Sequence, residues 1–162
     1  MDREFNGAGI GALLGARGHS LAVSESSAGG LINAALVAVP GASAWYLGGC
    51  VVYTAASREG LLGITAGDMK GIRSASEPYA RLAARRVREK LGATWGLAET
   101  GASGPSGNRY GDAPGHACFA VSGPLEAAIT LETGSADRDA NMRAFARRAL
   151  ELLESCIAKA SP

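Results

Sequence analysis

Long apolar runs are missing from this chain. No stretch reaches the ~18 consecutive apolar residues of a membrane-spanning helix, so no membrane-embedded role is expected. A basic leader followed by an apolar segment is also missing, so no secretory signal is visible and a cytoplasmic location is expected. Charge of one sign is scarce: 16 basic against 15 acidic side chains leave a net charge of +1. That balance gives no general attraction to nucleic acid or to an anionic membrane surface. The local run Arg81, Arg85, Arg86, Arg88 and Lys90 reads as the polar face of a helix. Cys50, Cys118 and Cys156 stand far apart, with no CxxC and no Cys/His pair at metal spacing. They read as reduced core residues without a metal role. Internal repeats are not evident.

What the chain does have is glycine, 23 residues of 162, about twice average usage. The glycines gather at turn positions between apolar segments, which predicts many tight connections. The length suits one domain over residues 1–162, and a domain of this size buries about 68–70% of its unfolded surface.

The organising stretch is Leu21-Ala22-Val23-Ser24-Glu25-Ser26-Ser27-Ala28-Gly29-Gly30. It reads as a buried strand, a tight turn and the start of an apolar helix running from about Gly29 to Val39, where Pro40-Gly41 stops it. Amide groups at such a helix start favour an anion or a developing oxyanion. Serine also caps helices routinely, so Ser26 and Ser27 carry both readings. A weak helical pattern from Glu4 to Arg17 precedes this stretch, and His19 is expected to face solvent. Downstream, Gly48 to Tyr53 has a strand composition, and Thr54 caps a helix from Ala55 to Leu62. Ser76 and Pro78 open an amphipathic helix with Ala80, Ala83, Ala84, Val87 and Leu91 inward, ended by Gly92. Thr94 to Glu99 is a strand, Thr100 to Gly115 a long glycine-rich loop of the functional kind. His116 to Val121 and Glu126 to Thr133 form a hairpin, and a helix from about Asp137 to Lys159 closes the chain. Strands alternating with helices, with a late hairpin, predict an α/β layered fold with a mixed sheet.

Three polar clusters fall at strand ends, where open α/β sheets place ligand crevices. They are Glu25/Ser26/Ser27, Tyr53/Thr54 with Arg58, and Thr100-Gly101-Ala102-Ser103-Gly104-Pro105. The last has the glycines of an anion-binding loop but no Gly-Lys-Ser/Thr, and it is not a dinucleotide fingerprint. Around it stand Glu99, Arg109, Tyr110, Asp112 and His116. His116 reads either as a hydrogen-bonded structural residue or as a general base. Glu99 is expected to pair with Arg58 or Arg109, and Asp112 either with Arg109 or with a ligand.

These stretches resemble a known family. Ser24-Glu25-Ser26-Ser27-Ala28-Gly29-Gly30 resembles the A-E-S-C-T-G-G motif of the CinA C-terminal domain family. The segment Val39 to Gly49 is similar to its V-P-G-S-S-x-x-F-x-G-G, and Val52-Tyr53-Thr54 with Leu61-Leu62-Gly63-Ile64 to its V-x-Y-S-N-x-x-K-x-x-L-L-G-V. Ser74-Ala75-Ser76-Glu77 resembles G-A-V-S-E, Thr100 to Pro105 resembles T-G-I-A-G-P, and Asp137-Arg138 with Arg143 fits its arginine-bearing last helix. The resemblance implies a three-layer α/β/α sandwich with a mixed β-sheet, often oligomeric. In many members a domain resembling molybdopterin-binding proteins precedes it, and none is expected here.

The activity implied is deamidation of nicotinamide mononucleotide to nicotinate mononucleotide and ammonia, without metal or other cofactor. Ser26 is then the implied nucleophile, with Tyr53, Arg58 and Thr100 in the catalytic site. Glu25, Ser27, Gly29, Gly30, Gly101, Ser103, Arg109 and His116 are expected to bind substrate, and Arg143 and Arg138 to meet its phosphate. The expected partners are a nucleotide-like small molecule and further copies of the chain, through the Gly29 helix with Trp45 and Tyr46. Four positions depart from the motifs: Arg58 replaces lysine, Ala55 asparagine, Ser27 cysteine and Ala28 threonine. An arginine effectively never gives up its proton. Three functional readings follow: an amidohydrolase of this substrate class, a non-catalytic nucleotide-binding module, and a hydrolase with another substrate and base.

Overall fold

A computed structural model describes residues 5–162. The strand β1 (Leu21–Glu25) is buried along its whole length, from the apolar Leu21-Ala22-Val23 to the polar Ser24 and Glu25. It lies between the edge strand β2 (Tyr46–Val51) and β3 (Trp95–Ala102), parallel to both. β4 (His116–Ser122) and β5 (Ala127–Glu132) complete the five-stranded mixed sheet as antiparallel neighbours, in the order β2-β1-β3-β4-β5. Helices α1 (Ala8–Arg17), α2 (Leu31–Val37) and α5 (Arg138–Lys159) cover one face, and α3 (Ala55–Leu62) and α4 (Glu77–Leu91) the other. The result is the three-layer α/β/α arrangement, with one apolar core on each side of the sheet.

The caps that the sequence advertises are made. Thr54 Oγ1 accepts from Ser57 N–H in a reciprocal capping box, Ser76 Oγ from Tyr79 N–H, and Asp137 Oδ1 from Ala140 N–H. Gly63 and Gly92 close α3 and α4 in left-handed conformations and donate to the Glu59 and Glu89 carbonyls, while the next residues, Ile64 and Ala93, donate to those of Arg58 and Arg88.

Several expectations are corrected. The start of the first helical pattern, Glu4, lies outside the described residues, and the helix itself begins at Ala8. α2 is shorter than the apolar run: Gly29 and Gly30 have φ of 67° and 106° and belong to the turn. Trp45 is buried within its own chain against Gly11 of α1, so it is not available to another copy. Leu91 is exposed at the end of α4. β3 continues through Thr100 and Gly101 to Ala102, because those residues pair with His116 to Cys118, and the loop starts only at Ser103. His19 Nδ1 accepts a 3.1 Å hydrogen bond from the indole of buried Trp95, so it is not a free solvent-facing ring. Among the described residues no helix is long and apolar enough to cross a membrane.

Close packing of α4 on the sheet depends on Gly96. A Cβ there would meet the Ala84 carbonyl oxygen at 2.1 Å and Arg88 Cβ at 2.8 Å. Gly96→Ala should therefore lower the unfolding free energy by about 1–3 kcal/mol, the usual cost of overpacking. Urea unfolding should show a lower midpoint with an unchanged slope.

Candidate active site

The carboxyl ends of β1, β2 and β3 share one edge of the sheet, and the turn after β1 is built on two buried carboxylates there. Glu25, 0% exposed, accepts from the amides of Gly30 and Ile32 at 3.0 Å and of Asn33 at 2.7 Å, and from the Asn33 side chain at 2.6 Å. Glu99, 2% exposed, reaches across from β3. It accepts from Ser26 N–H at 2.8 Å, from Ala28 N–H at 3.0 Å and from the Ser27 hydroxyl at 2.5 Å. The amides expected to receive an external anion are thus occupied by the chain's own carboxylates. Glu25 holds the helix start from inside, and Glu99 pairs with the serine turn instead of with Arg58 or Arg109.

Burial raises the pKa of both groups. For Glu99 desolvation outweighs the hydrogen bonds from Ser27, Ser26 and Ala28 and lifts it from 4.5 to about 7. Glu25 is raised for the same reason against the pull of the α2 amides.

Two cavities open in front of this turn. The first, 510 Å³, is lined by Ser26, Tyr53, Arg58, Thr100, Gly101 and Arg109, together with Ser74, Ala75, Tyr79, Asn108 and Tyr110. The second, 240 Å³, is lined by Ser27, Ser103, Arg138 and the Gly101–Gly104 backbone, and shares Tyr53, Gly101 and Asn108 with the first. Ser26, Tyr53, Arg58 and Thr100 therefore do converge on one hollow. Glu25, Gly29, Gly30, His116 and Arg143 line neither cavity.

Arg58 is built into the wall. Its Nη1 donates to Ser74 Oγ at 3.0 Å, and the guanidinium sits 5.3 Å from the centre of the Tyr79 ring. Thr100 Oγ1 accepts the Ala75 amide at 3.2 Å. Ala75 has φ of 54°, a left-handed conformation costly for any residue but glycine. Its carbonyl is held by His116 Nε2 at 2.8 Å. The other ring nitrogen, Nδ1, lies 2.5 Å from the exposed Glu132 carboxylate. Both nitrogens face acceptors, an arrangement that favours the protonated ring. Burial opposes that charge, but Glu132, the Ala75 carbonyl and Asp112 carry the pKa above 6.5. His116 fastens the pocket wall from behind and has no nitrogen left to serve as a base in the cavity.

The arginines divide differently from expectation. Asp112 pairs with Arg73 at 2.7 Å, while Arg109 lies over the Tyr110 ring and donates to its hydroxyl. Arg138 donates to Tyr53 OH at 2.9 Å and to the Gly104 carbonyl, which points it at the second cavity. Arg143 instead pairs with Asp139 one turn along α5 at 3.1 Å. Among the described residues no group of three or more His, Cys, Asp or Glu could hold a metal.

Sequence reading missed Ser74, Ala75, Tyr79 and Asn108 as lining residues. Ser74 and Ala75 carried a signal in their resemblance to G-A-V-S-E, and Asn108 another: its Oδ1 accepts from the amides of Tyr110 and Asp112, the turn that Asn followed by Gly111 advertises.

The open α/β/α sheet with a hydroxyl- and arginine-lined crevice at its strand ends defines the class of protein. Residues 6–157 match the CinA C-terminal domain model, and the chain belongs to that family. A CinA-like protein of Anaeromyxobacter sp. (strain K) is 40% identical over 142 residues, 88% of this chain and 35% of that protein. One from Gloeobacter violaceus is 38% identical over 154 residues, 94% and 36% respectively. The chain thus spans about a third of these relatives' length. A solved CinA superfamily protein from Klebsiella pneumoniae superposes with a TM-score of 0.89 at 24% identity, covering 98% of this chain and 99% of that one. Its counterpart from Escherichia coli gives 0.85 at 25% identity, covering 96% and 92%.

The buried groups set a pH dependence. Between 4.5 and about 7 the folded protein keeps the Glu99 proton that the unfolded chain has released, so this group lowers stability as pH rises, by about 3 kcal/mol in full. Glu25 acts in the same sense. His116, raised, contributes stability that is fully present below 6.5 and lost as pH rises through its folded value. The melting temperature should accordingly be higher at about pH 5.5 than at about pH 8, and Glu99→Gln should shrink that difference. A melting temperature that climbs across this range would contradict the assignment.

Proposed function

We propose that this chain is an amidohydrolase-like enzyme that hydrolyses the amide of nicotinamide mononucleotide, or of a related small anionic amide, with a serine hydroxyl as nucleophile. The observation that carries this reading is the convergence of Ser26, Tyr53, Arg58 and Thr100 on one 510 Å³ cavity. A cavity of that size accommodates a small ligand. Across both cavities the lining includes the guanidiniums of Arg58, Arg109 and Arg138 and no carboxylate. Such a lining favours a phosphate or carboxylate on the substrate. Tyr53, Tyr79 and Tyr110 add flat aromatic faces beside it. In this reading Arg138 meets the phosphate, since it lines the crevice and Arg143 does not.

The fixed cation at Arg58 favours a division of roles in which that residue binds and some other group takes the proton. Ammonia release from nicotinamide mononucleotide and from other phosphorylated amides tests the proposal. Turnover is expected, and it should vanish when Ser26 and Ser27 are both replaced by alanine. Arg58→Ala should raise KM about ten- to a hundredfold with little change in kcat, as the loss of one charge-assisted contact would. Measurable binding of these compounds without turnover of any would make the pocket a non-catalytic nucleotide-binding module instead.

A further inference from the structure

A hydroxyl on the lining of the second cavity is in direct contact with a carboxylate buried behind it. Ser27 lines it, and the Ser27 hydroxyl donates to Glu99 Oε1 at 2.5 Å. A hydroxyl nucleophile with an acceptor within hydrogen-bond reach, itself oriented by further groups, is the arrangement that activates serine. Here the orienting groups are the amides of Ser26 and Ala28, which fix both carboxylate oxygens. We propose that Ser27 is the nucleophile and Glu99 its general base, at a hydrolytic site that opens on the 240 Å³ cavity and takes acyl compounds bearing an anionic group. The inference rests on the hydrolase reading above and moves the reacting hydroxyl from Ser26 to Ser27.

Three further observations support it. Burial tunes Glu99 to about 7, where a carboxylate at neutral pH can both take and return a proton. Ser103, whose buried hydroxyl has no partner among the described residues, lines the same cavity, so a donor for a developing oxyanion is unspent there. Arg138, anchored by Tyr53 and the Gly104 carbonyl, supplies the positive charge for the anionic group. Arg58 cannot take a proton and both His116 nitrogens are engaged by Glu132 and the Ala75 carbonyl, whereas Glu99 touches the Ser27 hydroxyl directly, so Glu99 is the base that the geometry leaves.

The chemistry balances within these groups and water. As Ser27 Oγ bonds to the carbonyl carbon, its proton passes to Glu99. The tetrahedral adduct collapses, the C–N bond breaks, and the leaving nitrogen takes that proton. Water then attacks the acyl-serine and gives a proton to Glu99, which returns it to Ser27 Oγ as the acid departs.

An alkyl fluorophosphonate tests the pair directly, because it labels an activated serine whatever the natural substrate is. Peptide mass spectrometry of the intact labelled chain should place the adduct on Ser27. The labelling rate should rise with pH through about 7 and fall about 10²-fold or more in Glu99→Gln, the scale of general-base assistance. The neighbouring titratable groups, Glu25 under the same turn and Tyr79 on α4, are separated from Glu99 by repeating the profile in Glu99→Asp and Tyr79→Phe. Should Glu99→Gln fail to fold by circular dichroism, the wild-type profile decides alone: a flat profile overturns the base. An adduct on Ser26, or turnover with neither serine labelled, overturns the pair and leaves the hydrolase reading standing. No adduct on either serine and no turnover of any amide overturns both.

Discussion

The turn between β1 and α2 exists because two carboxylates are buried beneath it. Burying a carboxylate costs several kcal/mol unless hydrogen bonds replace its water. Glu25 and Glu99 find those bonds in the same short segment: five backbone amides from Ser26 to Asn33, one serine hydroxyl and one asparagine side chain. The dependence runs both ways. Without the amides the carboxylates would be unpaired in the core, and without the carboxylates the amides would be orphaned. Removing either partner therefore disturbs the β1–α2 connection, the sheet edge that β3 shares with it, and the Tyr46 hydroxyl that bonds Asn33.

This mutual saturation changes what the edge of the sheet can do. An N-terminus of a helix beside a strand end ordinarily offers its amides to a bound anion. Here the anion is internal, so recognition of a ligand passes to side chains: Arg58, Arg109 and Arg138 around the hollow, and the hydroxyls of Ser26, Ser27, Thr100 and Ser103 at its floor. Side-chain recognition needs rigid walls, and the wall opposite the turn is rigid for an electrostatic reason. The strained Ala75 is held by Thr100 on one side and by the His116 ring on the other, with Glu132 and Asp112 beside that ring. Three strands and one loop thus converge on a single strained residue.

The fold was largely legible in the sequence because its boundaries are written in local chemistry. Thr54, Ser76 and Asp137 announce helix starts through side chains that bond an amide three residues on, and Gly63 and Gly92 announce ends through the left-handed conformation. Strand content showed through composition. The length of β3 did not, since Thr100 and Gly101 look like loop residues until their partners on β4 are known. The site was legible in part for the same reason. Ser26, Tyr53, Arg58 and Thr100 announced themselves as polar groups at strand ends. The partner of Glu99 lies 72 residues away, that of His116 41 residues away, and no local pattern encodes such distances. Arg138 and Arg143 sit on one helix, and only the geometry of α5 against the Gly104 loop decides which one faces the crevice.

The substitutions within the family motifs become coherent when taken together. Arg58 in place of a lysine leaves a permanent cation in the first cavity, tied to Ser74 and stacked on Tyr79. A permanent cation favours anion binding and forbids proton transfer. Ser27 in place of a cysteine puts a strong hydrogen-bond donor where a thiol would donate only weakly, and that donor is the one Glu99 accepts. Each change taken singly removes a group from the pattern. In combination they put a fixed positive charge on the cavity lining and a titratable carboxylate against the Ser27 hydroxyl. Glu99 has Ser26, Ser27 and Ala28 as its partners, and a carboxylate bonded to arginine would instead be driven far below the neutral range and lose its capacity to accept a proton. The burial that raises Glu99 to about 7 acts on a carboxylate whose hydrogen-bond partners are the serine turn and not a guanidinium.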